Sequence, residues 1–95
     1  MFIKCYDLKF CDDEATVVIA KGAEILSVGV RKDFLLGRFF EIPYIIVKEE
    51  ETNEKEELLI RRIPVKEAVE VKAWQLYLGI IAVDNGTSSY NVIAE

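Results

Sequence analysis

A bias toward β-branched side chains constrains this chain more than any other feature. It holds 21 valines and isoleucines against eight leucines. Two heavy atoms on Cβ stiffen the first side-chain torsion and suit a pleated sheet better than a helix. The runs are short and separated by turn residues, the pattern of strands. Phe2 to Phe10 alternates, with Phe2, Tyr6, Leu8 and Phe10 on one face and Ile3 and Cys5 on the other. Asp12-Asp13-Glu14 is a polar break, Ala15 to Ala20 is a short β-branched run, and Lys21-Gly22-Ala23 reads as a turn or bulge. Glu24 to Lys32 sets Leu26, Val28 and Val30 opposite Ile25, Ser27, Gly29 and Arg31, and Lys32-Asp33 reads as a tight connection. Phe34 to Lys48 is nearly continuously apolar, interrupted by Gly37 and Pro43. Proline has no N–H for a ladder, so Pro43 predicts an edge, a bulge or a bend that splits this segment.

The second half is punctuated by one compositional break. Residues 48–57, KEEETNEKEE, hold six glutamates, two lysines and no apolar residue. They predict a solvated, mobile acidic loop between a strand at Tyr44–Val47 and another at Leu58–Ile63. From Pro64 to Gln75 a helical stripe and strand alternation fit equally, and Pro64 at a first helical position tips the reading toward a short helix. Leu76 to Val83 is an apolar strand, Asp84-Asn85-Gly86-Thr87 a hairpin turn, and Tyr90 to Ala94 the returning strand. The expected architecture is one mainly β domain over residues 1–95. It is a small antiparallel β-sandwich or barrel of six to seven strands, with one short helix near 64–75.

Residues 48–57 also carry four of the five net negative charges, so the rest of the chain is close to neutral. No basic face is visible, and direct nucleic-acid binding is not expected. Histidine is absent, which removes Ser–His and Cys–His nucleophile pairs and the commonest zinc ligand. Neither a Cys-x-x-Cys pair nor a glycine-rich phosphate cradle is present. Asp12-Asp13-Glu14 lacks the ligand spacing of a calcium loop, and Glu41 stands alone as a candidate acid. No catalytic residue, metal or cofactor is therefore expected, and the chain reads as a non-enzyme. Cys5 and Cys11 would lie about 20 Å apart in one extended segment, which predicts reduced, partly buried thiols rather than a disulfide.

The longest uncharged stretch, Ala73 to Val83, is far short of the roughly 20 residues that span a bilayer. No apolar leader is visible near Met1, so a cytoplasmic setting without membrane contact is expected. Hydrophobic residues make up 52% of the chain, while a domain this small buries only about 60–65% of its unfolded surface. Apolar residues must remain outside, either scattered or gathered on a face that meets a partner or a second copy. The candidate binding residues are Arg61, Arg62, Trp74, Tyr77 and Tyr90. An arginine fork beside an aromatic ring suits phosphate or carboxylate. The competing reading has the arginines paired with glutamates and the rings in the core.

Lys21-Gly22-Ala23-Glu24-Ile25-Leu26-Ser27-Val28-Gly29-Val30, Tyr6-Asp7-Leu8, Tyr77-Leu78-Gly79 and the Asn85-Gly86 turn occur in the order of a known pattern. In these residues the chain resembles an uncharacterised family of small β proteins encoded by tailed phages and prophages. A Thr-Gly-His segment common in that family is missing here, and no functional residue carries over. The resemblance implies a phage or mobile-element accessory protein acting in the bacterial host cytoplasm. Its expected function is to bind and inhibit a host protein, such as a defence component. The alternatives are an oligomeric small-molecule binder that sequesters a nucleotide signal, and a virion structural or assembly protein. A homo-oligomer is expected.

Overall fold

Three reversals with left-handed residues other than glycine organise the chain. At the first, Asp12 and Asp13 take φ of 52° and 65°, and Cys11 and Glu14 exchange both backbone hydrogen bonds at 2.8 and 3.1 Å. At the second, Leu36 and Gly37 take φ of 52° and 76°. Two consecutive positive φ values mark the hairpin turn whose twist matches its strands. The third runs through Asp84, Asn85 and Gly86, at the hairpin that the Asn-Gly pair predicts. The computed structural model describes residues 1–95 and contains seven strands and no helix: β1 Phe2–Asp7, β2 Glu14–Ala20, β3 Glu24–Leu35, β4 Arg38–Glu49, β5 Lys55–Pro64, β6 Leu76–Val83 and β7 Ser88–Ala94. No helix is thus long and apolar enough to cross a membrane.

All pairings are antiparallel. The strands form a three-stranded sheet in the order β1-β4-β3 and a four-stranded sheet in the order β2-β5-β7-β6. Alternate residues of β2, β4 and β7 point between the sheets. Ala15, Val17, Ile19, Ile45, Val47, Val92 and Ala94 meet Ile60, Ile81 and Leu8 in one core. Of the sandwich and barrel that the strand and turn pattern allows, the two separate sheets make this a small β-sandwich. A bulge between Ile25 and Ser27 changes one detail of that pattern. It turns Ile25 inward beside Val28 and Val30 and leaves Leu26 exposed, because an extra residue reverses the facing of the residues after it.

Several sequence expectations give way to the ladder. Lys32-Asp33 is no turn; β3 continues to Leu35, with Lys32 opposite Glu41 and Asp33 opposite Phe40. Pro43 does not split its segment, for β4 is unbroken and is the central strand of its sheet. The Pro43 carbonyl accepts from the Leu8 N–H at 2.8 Å. In an antiparallel strand a residue's N–H and C=O point to the same neighbour. The missing donor therefore falls on the β1 side, just past the end of β1 at Asp7. Residues 64–75 hold two turns instead of a helix. Glu67 N–H donates to the Pro64 carbonyl and Gln75 N–H to the Lys72 carbonyl. Pro64 is committed to β5, opposite Tyr90, so it cannot open a helix. Both cysteines are free as expected, but exposed rather than partly buried.

The acidic segment 48–57 is shorter as a loop than expected. Lys48 and Glu49 end β4 and residues 55–57 begin β5, leaving 50–54 as the connection. Glu49 follows Ile45 and Val47 on the inward face and is only 3% exposed, the one buried charge. Its carboxylate accepts from Lys4 Nζ at 2.7 Å, from the Tyr6 hydroxyl at 2.9 Å to both oxygens, and from the Ala20 N–H at 3.2 Å. The Lys4 hydrogen bond, with those from Ala20 and Tyr6, outweighs burial and holds this carboxyl at about 2. Lys4 is raised by the same bond. The Tyr6 phenol is raised first by burial and then by its bond to Glu49. Glu49 thus ties β1 and β4 of one sheet to the end of β2 in the other.

Candidate functional site

The register of β3 and β4 outruns the sandwich. At its root Lys32 and Glu41 face each other, and both reach the β6–β7 turn. Lys32 Nζ donates to Asn85 Oδ1 at 3.3 Å, and the Asn85 N–H donates to Glu41 Oε1 at 2.9 Å. Beyond that point Phe34 pairs with Phe39 and Leu35 with Arg38. Three more residues on each strand, at roughly 3.4 Å apiece, make an arm about 10 Å long. The radius of gyration, 13.9 Å, exceeds the value of about 12 Å usual for a compact chain of this length, as a projecting arm requires.

The arm is apolar on both faces. Phe34, Leu35, Leu36, Phe39 and Phe40 are all exposed, Phe39 to 74% and Leu36 to 99%. The rings of Phe34 and Phe39 tilt against each other with centroids 4.9 Å apart. Strand alternation puts Phe34 and Phe39 on the face that continues toward the core, with Leu35 and Phe40 on the other. A strand that buries one face in its own sandwich alternates apolar with polar. This one does not, and Leu36 holds a left-handed conformation at the extreme tip. The base is stiffened by Arg31, which pairs with Asp7 at 2.7 Å and also with Asp33. Those two carboxylates raise the guanidinium above its usual range, Asp33 contributing most.

The five residues singled out from sequence fall in three places. Arg62 and Tyr90 come together: the guanidinium lies 4.7 Å from the ring centroids of both Tyr90 and Phe10, and its Nε donates to Asp13 Oδ1 at 2.8 Å. This stack borders a groove of about 370 Å³ that reaches Phe39 and Glu41 at the root of the arm. Arg61 and Tyr77 flank Ile93 in register on the outer face of the four-stranded sheet. Arg61 faces Glu14 at 3.9 Å and Glu95 at 3.7 Å, and the Tyr77 hydroxyl donates to Asn91 Oδ1 at 2.7 Å. Trp74 stands at the far end of β6, 71% exposed. No single patch unites the five, and both arginines already face carboxylates.

The arm itself went unread in the sequence as a site. Its signal was present in Phe34-Leu35-Leu36-Gly37-Arg38-Phe39-Phe40, where a glycine separates two apolar clusters without alternation. Comparison with known protein families, curated proteins and solved structures finds no match.

Proposed function

We propose that this chain is a non-enzymatic binding protein that docks onto another protein through the β3–β4 arm. The observation that carries this reading is the five large apolar side chains exposed on both faces of one short hairpin tip. Exposed aromatics clustered on a rigid support are the anchors of protein interfaces, where a few residues supply most of the affinity. A two-faced tip suits insertion into an apolar groove. Arg38, opposite Leu35, is placed to meet a carboxylate at the rim of such a groove. The resemblance to small phage proteins makes a host protein in the bacterial cytoplasm the partner class, and its inhibition the consequence.

The test is capture from host lysate with three proteins: the native chain, the Leu36→Asp/Phe39→Asp variant, and Tyr77→Ala as a control remote from the arm. The reading expects a specific partner held by the native chain and the control and lost with the arm variant. A partner retained by the arm variant refutes it. Light scattering on the native chain separates a further outcome. If a dimer forms and the arm variant dissolves it, the arm is an interface between copies instead.

A further inference from the structure

The end of the sandwich opposite the arm is open. A cleft of about 490 Å³ lies there, floored by Ile19, Ile25, Leu58 and Leu76. Trp74 stands at its mouth, and Glu24, Glu56 and Glu95 are its only charged lining residues. Glu95 is 3.7 Å from Arg61, and Glu24 lies opposite Lys48 in the ladder, on the outward face of β3, while Glu56, opposite inward Ile19, forms no ion pair. The turn before β6 is closed by Gln75. The Gln75 side chain accepts from the Lys72 N–H at 2.8 Å and donates to Glu95 Oε1 at 2.5 Å, closing the turn that carries Trp74.

We infer that this cleft binds an organic cation, a protonated amine carried on an apolar stem. Its volume falls in the range of small-ligand sites, roughly 300–1,000 Å³, and such sites combine apolar walls with a few polar groups. The stem lies on Ile25 and Leu58. The positive head meets the unpaired Glu56 carboxylate, and the Trp74 indole attracts the same charge through its quadrupole. An anion of equal shape finds only repulsion. The cleft stands apart from the arm, which lies at the other end of β6.

Trp74 is the only tryptophan of the chain, so its fluorescence reports this cleft directly. Phenethylammonium is titrated beside phenylpropionate, an anion with a similar apolar body. A saturable change is expected with the amine at millimolar concentration and none with the acid. Glu56→Gln, confirmed as folded by an unchanged melting temperature, is expected to weaken amine binding about threefold to fivefold, since one part-exposed ion pair supplies that much. The arm variant Leu36→Asp/Phe39→Asp leaves the titration as it was. Equal responses to amine and acid, an unsaturable response, or unchanged affinity in the Glu56→Gln variant would each overturn the inference.

Discussion

Leu36→Asn separates folding from binding at the arm. Leu36 is 99% exposed, so shortening it removes no packing from the folded chain. Its φ of 52° is the left-handed region, which costs an ordinary L-residue about 1–2 kcal/mol. Asparagine tolerates that region through local hydrogen bonds, and Asn-Gly is the favoured pair for this turn. Leu36→Asn is therefore expected to stabilise the fold by about 1 kcal/mol, which for a domain of this size raises the melting temperature by roughly 4–8 °C. Leu36→Ala keeps the strained φ and is expected to change stability by less than about 0.5 kcal/mol. Urea unfolding at several protein concentrations measures both, and an unchanged denaturant slope shows that the same two states are compared. If Leu36→Asn also loses the captured partner, the apolar tip is held at a cost in stability, as expected of a binding residue. A loss of about 1 kcal/mol or more in Leu36→Asn refutes the reasoning, because a loss on the scale of a buried contact means the side chain packs against something.

Three further substitutions examine the rest of the fold. Glu49 is held at about 2 against an ordinary 4.5, so the folded chain binds fewer protons than the unfolded one across that range. Its contribution is complete above the ordinary value and is lost as pH falls toward 2. Urea midpoints of Glu49→Gln should accordingly fall less steeply with acid than those of the native chain, and parallel pH curves would contradict this. Ile60→Ala empties a fully buried site at the centre of the core and is expected to cost about 2–5 kcal/mol by urea unfolding, whereas a loss below about 1 kcal/mol would show that the site collapses or that the sheets do not pack there. A Cβ on Gly29 would stand 2.6 Å from Tyr44 Oη and 2.8 Å from Cζ, so Gly29→Ala displaces that ring and is expected to cost about 1–3 kcal/mol. In a Tyr44→Ala background the same change should cost less, and an equal cost would exclude the ring as its cause.

How far the sequence could be read depends on which interactions are local. The Asp84–Thr87 turn was legible because its preferred residues act within four positions of one another. The strands were legible where β-branched residues run together between turn residues, as in Ala15 to Ala20. Lys32-Asp33 misled because two charges usually mark a turn, whereas here Lys32 and Glu41 pair and both engage Asn85 from a distant hairpin. Pro43 misled because its missing donor matters only if a neighbour strand needs it there, and β1 ends one residue short. Glu49 was hidden among glutamates that differ from it only in facing solvent; its partners Lys4, Tyr6 and Ala20 come from two other strands. For the five candidate binding residues, sequence named aromatic and guanidinium chemistry but no distances. Only Arg62 and Tyr90 proved to be neighbours.

The sequence alone determined that the chain forms antiparallel strands in a small sandwich or barrel, since side-chain branching and two-residue turns act locally; the division into two facing sheets was decided by tertiary structure. Tertiary structure decided where charge and apolar surface are left over. Pairing carried β3 and β4 beyond the sheet that could cover them, exposing Phe34 to Phe40. The same packing drew Glu49 inward and set Trp74 over an open cleft at the other end. Each of these depends on which strand lies opposite, a relation that periodicity along one chain does not contain.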